Sequence, residues 1–219
     1  MNELLGRSRT VLLVHGLART GRAMEPLAGY LADRGFSPRV FSYSSRSLTV
    51  GEAAGRLGEA IHGLAEAGAA PVHVVAHSLG SLLTRTHAKD EGPGLLGRVV
   101  FLAPPGHGSE VADRLARHPW FRLLYGPAGQ ELRTGPQGVA GGLPPVDFPC
   151  GVLAGTKSRS LLARRWLAPP HDGRVTVQSA RIPGIADFRE LPVTHNGILA
   201  NREALALTAL FLLTGSFGA

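Results

Sequence analysis

Ser78 lies where a short β-branched run passes into a helix-forming run, in the segment VHVVAHSLGS at residues 72–81. A sharp strand-to-helix turn of the Gly-x-Ser-x-Gly kind holds its central serine in a strained conformation and presents the hydroxyl for nucleophilic attack. Small residues are needed two positions before and after that serine, because the two backbones nearly touch. Ala76 and Gly80 occupy these positions. The pattern predicts a nucleophile, and capping of the following helix by Ser78 is the alternative interpretation.

A serine hydroxyl is a poor nucleophile at neutral pH, so it needs a histidine to take its proton and an acid to orient that histidine. His195 follows the last predicted strand and Asp172 follows the strand before it. Ligands of an open parallel sheet bind beyond the carboxyl ends of the strands. We therefore expect Ser78, Asp172 and His195 to meet at one edge of the sheet.

Alternatives exist for the acid. Asp172 begins an Asp-Gly pair, which is also a common turn signal. Asp147 and Asp187 are rival acids, but each precedes a predicted strand and so belongs at the opposite edge of the sheet. Asp172 is the preferred candidate for this reason.

Several histidines raise the alternative of a metal site. His77, His107 and His171 could be ligands together with His195, which could also be an ordinary surface histidine. No metal-binding spacing such as His-Glu-x-x-His occurs among them. We therefore expect no metal and no cofactor.

Four segments together resemble the small bacterial lipases and esterases of the α/β-hydrolase superfamily: VLLVHGL at 11–17, AHSLG at 76–80, DGRV at 172–175 and THNG at 194–197. The resemblance implies a minimal α/β-hydrolase fold, with about six mainly parallel strands flanked by helices and a small cap insertion. The minimal form is expected because the first strand begins near residue 10.

The resemblance also implies roles for individual residues. Ser78 would be the nucleophile, His195 the base and Asp172 its orienting acid. The backbone N–H groups of Leu17 and Leu79 would form the oxyanion hole. The side chain of His15 is expected to hold its loop, and His77, the variable residue of the nucleophile turn, is placed with the substrate-binding residues.

Short apolar runs alternate with helical patterns along most of the chain, which is typical of a parallel sheet with crossover helices. Strands are predicted at 10–14, 38–43, 71–76, 98–103, 148–154 and 186–191, and helices at 21–34, 50–67, 79–88 and 196–213. Between 106 and 145 the alternation stops. This stretch is rich in proline and glycine and carries the apolar run WFRLLY at 120–125.

A long insertion of this kind is usually functional. We expect 106–145 to form a cap or lid, with Trp120, Phe121 and Leu124 binding the substrate, and core filling is the alternative for this cluster. These residues favour an uncharged substrate that is lipid-like or has a short acyl chain.

Length and composition limit the remaining choices. A chain of 219 residues with 44% hydrophobic residues suits one domain over 1–219. The single cysteine, Cys150, allows no internal disulfide, and no signal peptide or membrane-spanning run is found, so a cytoplasmic location is expected. Secretion is the alternative if a leader is missing. The net charge of +7 comes from scattered arginines, so nucleic acid is not an expected partner.

The sequence thus predicts a serine hydrolase that cleaves small-molecule carboxylic esters through an acyl-enzyme on Ser78. A thioesterase with the same triad is the nearest enzymatic alternative, because the mechanism is shared. A binding protein that keeps the fold without catalysis is the alternative from another class. The sequence leaves the oligomeric state open.

Overall fold

One parallel sheet organises the protein, seen here in a computed structural model that describes residues 9–218. Within that range the sheet has six strands: β1 Thr10–Val14, β2 Ser37–Phe41, β3 Val72–His77, β4 Leu96–Leu102, β5 Cys150–Gly155 and β6 Asp187–Leu191. Their order is β2-β1-β3-β4-β5-β6, and every neighbouring pair is parallel. The predicted fold class is therefore confirmed. Residues 1–8, where the sequence shows no leader pattern, lie outside the described range.

Helices cover both faces of this sheet. They are α1 Glu25–Ala32, α2 Val50–Leu64, α3 Leu79–Glu91, α4 Glu110–Leu115, α5 Pro119–Glu131, α6 Leu161–Trp166, α7 Val177–Ala180 and α8 Arg202–Thr214. Helix α2 begins with a capping box, in which the Glu52 N–H donates to the Thr49 hydroxyl at 3.2 Å and the Thr49 N–H donates to the Glu52 carboxylate at 2.8 Å. This arrangement satisfies amide groups that the first turn leaves without partners.

Alternate residues of each buried strand enter two separate cores. Val11 and Leu13 of β1 join the core with Leu27 of α1 and Phe211 of α8. Leu12 and Val14 point to the other core, which includes buried side chains of α2 and α3. Because a strand alternates its side chains between faces, apolar residues at every position require helices on both sides.

Two predicted helices are interrupted in the structure. Residues 21–34 form a 3-10 turn, Gly21–Met24, followed by α1. Residues 196–213 form a 3-10 turn, Gly197–Ala200, followed by α8. The second break falls at Asn201, whose side chain accepts from the Ala204 N–H at 2.9 Å and so starts a new helix.

The insertion at 106–145 has no strand, as predicted, but it contains helices that the sequence pattern does not indicate. Helices α4 and α5 lie here, and α5 begins at Pro119, where the missing N–H costs no helical hydrogen bond. Gly126 interrupts α5 with a φ of +65°, and a Cβ there would lie 1.8 Å from the Arg46 carbonyl oxygen. The glycines and prolines of this segment therefore obscure the helical pattern in the sequence, and Gly126 allows α5 to bend close to the rest of the protein.

Within residues 9–218, no helix is both long enough and apolar enough to cross a membrane.

Candidate active site

Ser78 lies in the tight turn between β3 and α3. Its backbone has φ 52° and ψ −119°, a conformation that is strained for a residue with a side chain. Helix α3 then passes so close to β1 that a Cβ on Gly80 would lie 2.8 Å from the Val14 carbonyl oxygen. Glycine is therefore required at position 80, whereas the structure accommodates the methyl group of Ala76 without exposing it.

The three predicted residues meet at the carboxyl edge of the sheet. The Ser78 Oγ lies 3.0 Å from Nε2 of His195, and Nδ1 of His195 lies 2.7 Å from Oδ2 of Asp172. All three residues are buried. With Nδ1–H donating to the carboxylate, Nε2 is left free to accept the proton of the serine hydroxyl.

Asp172 is fixed by its own loop. Its Oδ1 accepts the N–H groups of Arg174 and Val175, each at 2.8 Å, and its carbonyl oxygen accepts the His195 N–H at 3.1 Å. Burial by itself would raise the pKa of this carboxyl group. The charge and hydrogen bond of His195, together with the two amides, outweigh burial and lower the pKa below its ordinary value. Asp172 is therefore a carboxylate at neutral pH.

His77 is buried beside His195 and also borders the cavity in front of Ser78. Its Nε2–H donates to the His195 carbonyl oxygen at 2.9 Å, and the two rings are 4.9 Å apart. Burial and the neighbouring charge of His195 lower the pKa of His77 to about 3. The ring therefore stays neutral, and its Nδ1 is buried with no hydrogen-bond partner among residues 9–218.

The loop after β1 contributes His15 and Leu17. His15 is fully buried, stacks on Tyr43 with ring centroids 4.3 Å apart, and accepts the Tyr43 N–H on Nε2 at 3.3 Å. Burial lowers the pKa of His15, which keeps it neutral. These contacts agree with the expectation that His15 holds the loop.

Leu17 and Leu79 are the two residues expected to form the oxyanion hole. Leu17 lines the cavity beside the serine. Leu79 follows Ser78 directly and is the first residue of α3, so its N–H has no acceptor within the helix. The assignment of these two N–H groups to an oxyanion hole stays a prediction.

A cavity of about 650 Å³, counted with its open mouth, lies in front of Ser78 and His195. One wall is apolar and is formed by residues of the loop after β1, of the insertion and of the loop before α7: Leu17, Val111, Leu115, Phe121, Leu132 and Val175. Tyr125 also lines the cavity, and so does Arg174, which stands in the DGRV segment next to the acid.

The aromatic and leucine run of α5 is divided between the cavity and the surface. Phe121 is 5% exposed and lines the cavity. Trp120 and Leu124 are each 47% exposed and are not among the residues that line it. The two predicted substrate-binding residues Trp120 and Leu124 are thus placed outside the cavity, because helical rotation turns neighbouring positions to different faces.

The rival acids lie elsewhere. Asp187 starts β6 and its Oδ2 accepts the Phe217 N–H at 2.7 Å, next to the C-terminal segment. Asp147 precedes β5 and lines a separate cleft with Arg85 and Lys89. Among the described residues, the carboxylate that contacts Nδ1 of His195 is that of Asp172 and not that of either rival acid.

The other histidines are occupied locally. His107 Nδ1 lies 3.1 Å from the Ser179 carbonyl oxygen, and His171 Nδ1 accepts the Gly173 N–H at 3.1 Å. Among the described residues no group of three His, Cys, Asp or Glu side chains is arranged to hold a metal ion.

A parallel sheet with a strained serine after its central strand and a histidine–carboxylate pair after the last two defines the α/β-hydrolase class. Residues 11–215 match the model of the alpha/beta hydrolase family, and the chain belongs to that family. No curated protein is significantly similar to the sequence.

Solved structures with the same fold include hydrolases of esters. Bacillus licheniformis lipase BlEst2 in its mature form superposes with a TM-score of 0.78 at 19% identity, over 94% of this chain and 92% of that chain. A metagenomic carboxyl esterase has a TM-score of 0.71 at 17% identity, over 86% and 65%. Phospholipase PlaB from Legionella pneumophila has 0.68 at 18%, over 93% and 58%. At these identities the likeness concerns the fold.

Proposed function

We propose that the protein is a serine hydrolase that cleaves carboxylic esters through Ser78, His195 and Asp172. The observation that carries this proposal is the continuous hydrogen-bond chain from the Ser78 Oγ through the His195 ring to the Asp172 carboxylate, with distances of 3.0 and 2.7 Å. Neither capping of a helix nor binding of a ligand requires a hydrogen-bond chain of this kind.

In the acylation step, Nε2 of His195 takes the hydroxyl proton as the Ser78 oxygen attacks the acyl carbon. Asp172 stabilises the imidazolium that forms. Its lowered pKa serves this role, because a carboxylate that is already ionised gives the full electrostatic effect. The N–H groups of Leu17 and Leu79 would stabilise the negative oxygen of the tetrahedral intermediate.

The imidazolium next donates its proton to the leaving alcohol, and an acyl ester remains on Ser78. Water then enters, loses a proton to His195 and attacks the acyl carbon, which releases the acid and restores the serine. This sequence uses only side chains and backbone amides of the chain, so it requires no cofactor or metal.

The acyl group would lie along the apolar wall of the cavity. Phe121 and Tyr125 of α5 face it from the insertion, together with Val111 and Leu115 of α4. We therefore propose that 106–145 acts as a small cap within a single domain. Its apolar surface suits a lipid-like or short acyl chain.

A fluorophosphonate probe tests the nucleophile directly, since it phosphonylates an activated serine. We expect labelling of wild-type protein at Ser78, located by mass spectrometry, and hydrolysis of p-nitrophenyl butyrate by the same preparation. His195→Gln should abolish both. A folded wild-type sample that neither reacts with the probe nor hydrolyses the ester would overturn the proposal and favour the binding-protein alternative.

A further inference from the structure

A second cavity adjoins the first at the proposed catalytic histidine. It is a shallow, open cavity with a volume of about 490 Å³ when its wide mouth is counted, and it is bordered by the loop after β5, by the Asp172 loop and by the loop that carries His195. Arg174, His195 and Asn196 line both cavities. The two cavities are therefore adjacent at the residue that would donate a proton to the leaving alcohol.

The second cavity differs chemically from the first. None of the residues that line it has a large apolar side chain, although carbon atoms form more of its exposed surface than polar atoms do. The lining residues include three with a hydroxyl group, one with an amide and two with a guanidinium group: Ser158, Ser160, Thr194, Asn196, Arg159 and Arg174. Hydroxyl, amide and guanidinium groups are all hydrogen-bond donors. Such a surface matches an acceptor-rich, negatively charged group.

The positive charges in this cavity are not neutralised by the protein. Within residues 9–218, the guanidinium groups of Arg159 and Arg174 make no hydrogen bond and no ion pair with another side chain. Asp172 is the one carboxylate in the lining, and its oxygens already accept bonds from His195 and from two backbone amides. An anion entering the cavity would meet two free guanidinium groups.

The direction of the reaction assigns the two cavities to the two halves of an ester. His195 must reach the oxygen of the leaving alcohol, so the alcohol lies at the junction of the cavities while the acyl chain occupies the apolar one. We infer that the second cavity binds the leaving alcohol and that this alcohol carries an anionic group of the phosphate monoester type. The expectation of an uncharged substrate then holds for the acyl half of the ester only. This inference rests on the proposed function and names the substrate class of that site.

Two esters with the same acyl chain test the inference: 1-octanoylglycerol, which is neutral, and 1-octanoylglycerol 3-phosphate, which is anionic. Both are assayed as monomers at low ionic strength, and kcat/KM is measured for each. We expect the wild-type protein to prefer the phosphate ester about tenfold or more, the factor that charged hydrogen bonds supply. Added salt should reduce the preference, because exposed charges are screened.

Arg159 gives the cleanest variant, because it lines the second cavity but not the first. We expect Arg159→Gln to lower the preference for the phosphate ester about tenfold and Arg159→Lys to keep most of it. Arg39→Gln, an exposed arginine on β2, is the matched control that removes the same charge elsewhere. Because kcat/KM for the two substrates is compared as a ratio within one preparation, the result does not depend on the fraction of active protein.

The inference is overturned if the ratio of kcat/KM for the phosphate ester to that for the neutral ester is unchanged in Arg159→Gln, or is near one in the wild type. In either case, hydrolysis of the neutral ester would still support the proposed function. If inorganic phosphate at millimolar concentration stimulates hydrolysis of 1-octanoylglycerol and the phosphate ester has no advantage, the cavity binds a free anion and the inference is wrong. If neither ester is hydrolysed and Ser78 does not react with a fluorophosphonate, the proposed function and the inference fail together.

Discussion

His77 Nε2 lies 2.9 Å from the carbonyl oxygen of His195, so the residue just before the candidate nucleophile holds the loop of its candidate base. This bond requires a hydrogen on Nε2. The opposite ring nitrogen, Nδ1, is buried and has no hydrogen-bond partner in the described part of the chain. A proton on Nδ1 would place a charge in a buried site, and for this reason burial lowers the pKa of His77 to about 3.

Protein stability should therefore depend on pH through His77. Between pH 6.5 and about 3 the unfolded chain binds a proton at this residue that the folded protein excludes, so the free energy of unfolding falls as the pH falls. The loss reaches about 1.4 kcal/mol for each pH unit in this window. Above pH 6.5 the contribution is constant.

Urea unfolding of wild-type protein and His77→Gln at pH 7, 6 and 5 measures this effect. Glutamine keeps a donor for the His195 carbonyl oxygen but does not titrate, so the variant should lose less stability on acidification than the wild type. Equal pH slopes in the two proteins would contradict the prediction.

Ser78→Ala should reduce hydrolysis of p-nitrophenyl butyrate by about a millionfold, because loss of the nucleophile of such a triad has an effect of this order. The fold should be retained, since the Ser78 hydroxyl bonds only to His195 in the described structure. Turnover measured beside circular dichroism checks both points. Activity within tenfold of wild type, after removal of contaminating esterases, would assign the chemistry to another residue.

Asp172→Asn should lower turnover by about ten-thousandfold, because an amide no longer stabilises the imidazolium or selects its tautomer. Asp187→Asn is the matched control, since Asp187 bonds Ser216 and Phe217 at the other end of β6. Steady-state kinetics of the two variants separate the roles. A larger loss in Asp187→Asn would show that the relevant acid is not Asp172.

Phe121→Ala should change acyl-chain preference, because the ring lines the apolar cavity and is nearly fully buried. Relative to wild type, we expect the variant to raise KM more for the decanoyl nitrophenyl ester than for the acetyl nitrophenyl ester. Leu124→Ala, on the exposed side of the same helix, should leave the ratio near its wild-type value. A shift in Leu124→Ala without one in Phe121→Ala would place the acyl group on the outside of the cap.

Treatment with EDTA should leave ester hydrolysis unchanged, because the proposed proton relay needs no Lewis acid. The rate before and after dialysis against the chelator is the measurement. Loss of activity that zinc or calcium restores would show that a metal ion is required.

The sequence by itself determined the sheet and the order of the candidate residues along it. Apolar strands at regular spacing are buried when they form a parallel sheet with crossover helices on both faces. A parallel sheet brings the residues that follow each strand to one edge. For this reason Ser78, Asp172 and His195 could be chosen from among the other acids and histidines before any distance was measured.

The tertiary structure decided what the local pattern could not express. Whether Phe121 or Trp120 faces the cavity depends on the rotation of α5, which is fixed by contacts such as the close approach of Gly126 to Arg46. The polar cavity at Arg159 and Arg174 likewise joins loops that are distant in the chain. Local propensity specifies elements, but long-range packing places side chains from different elements around a common space.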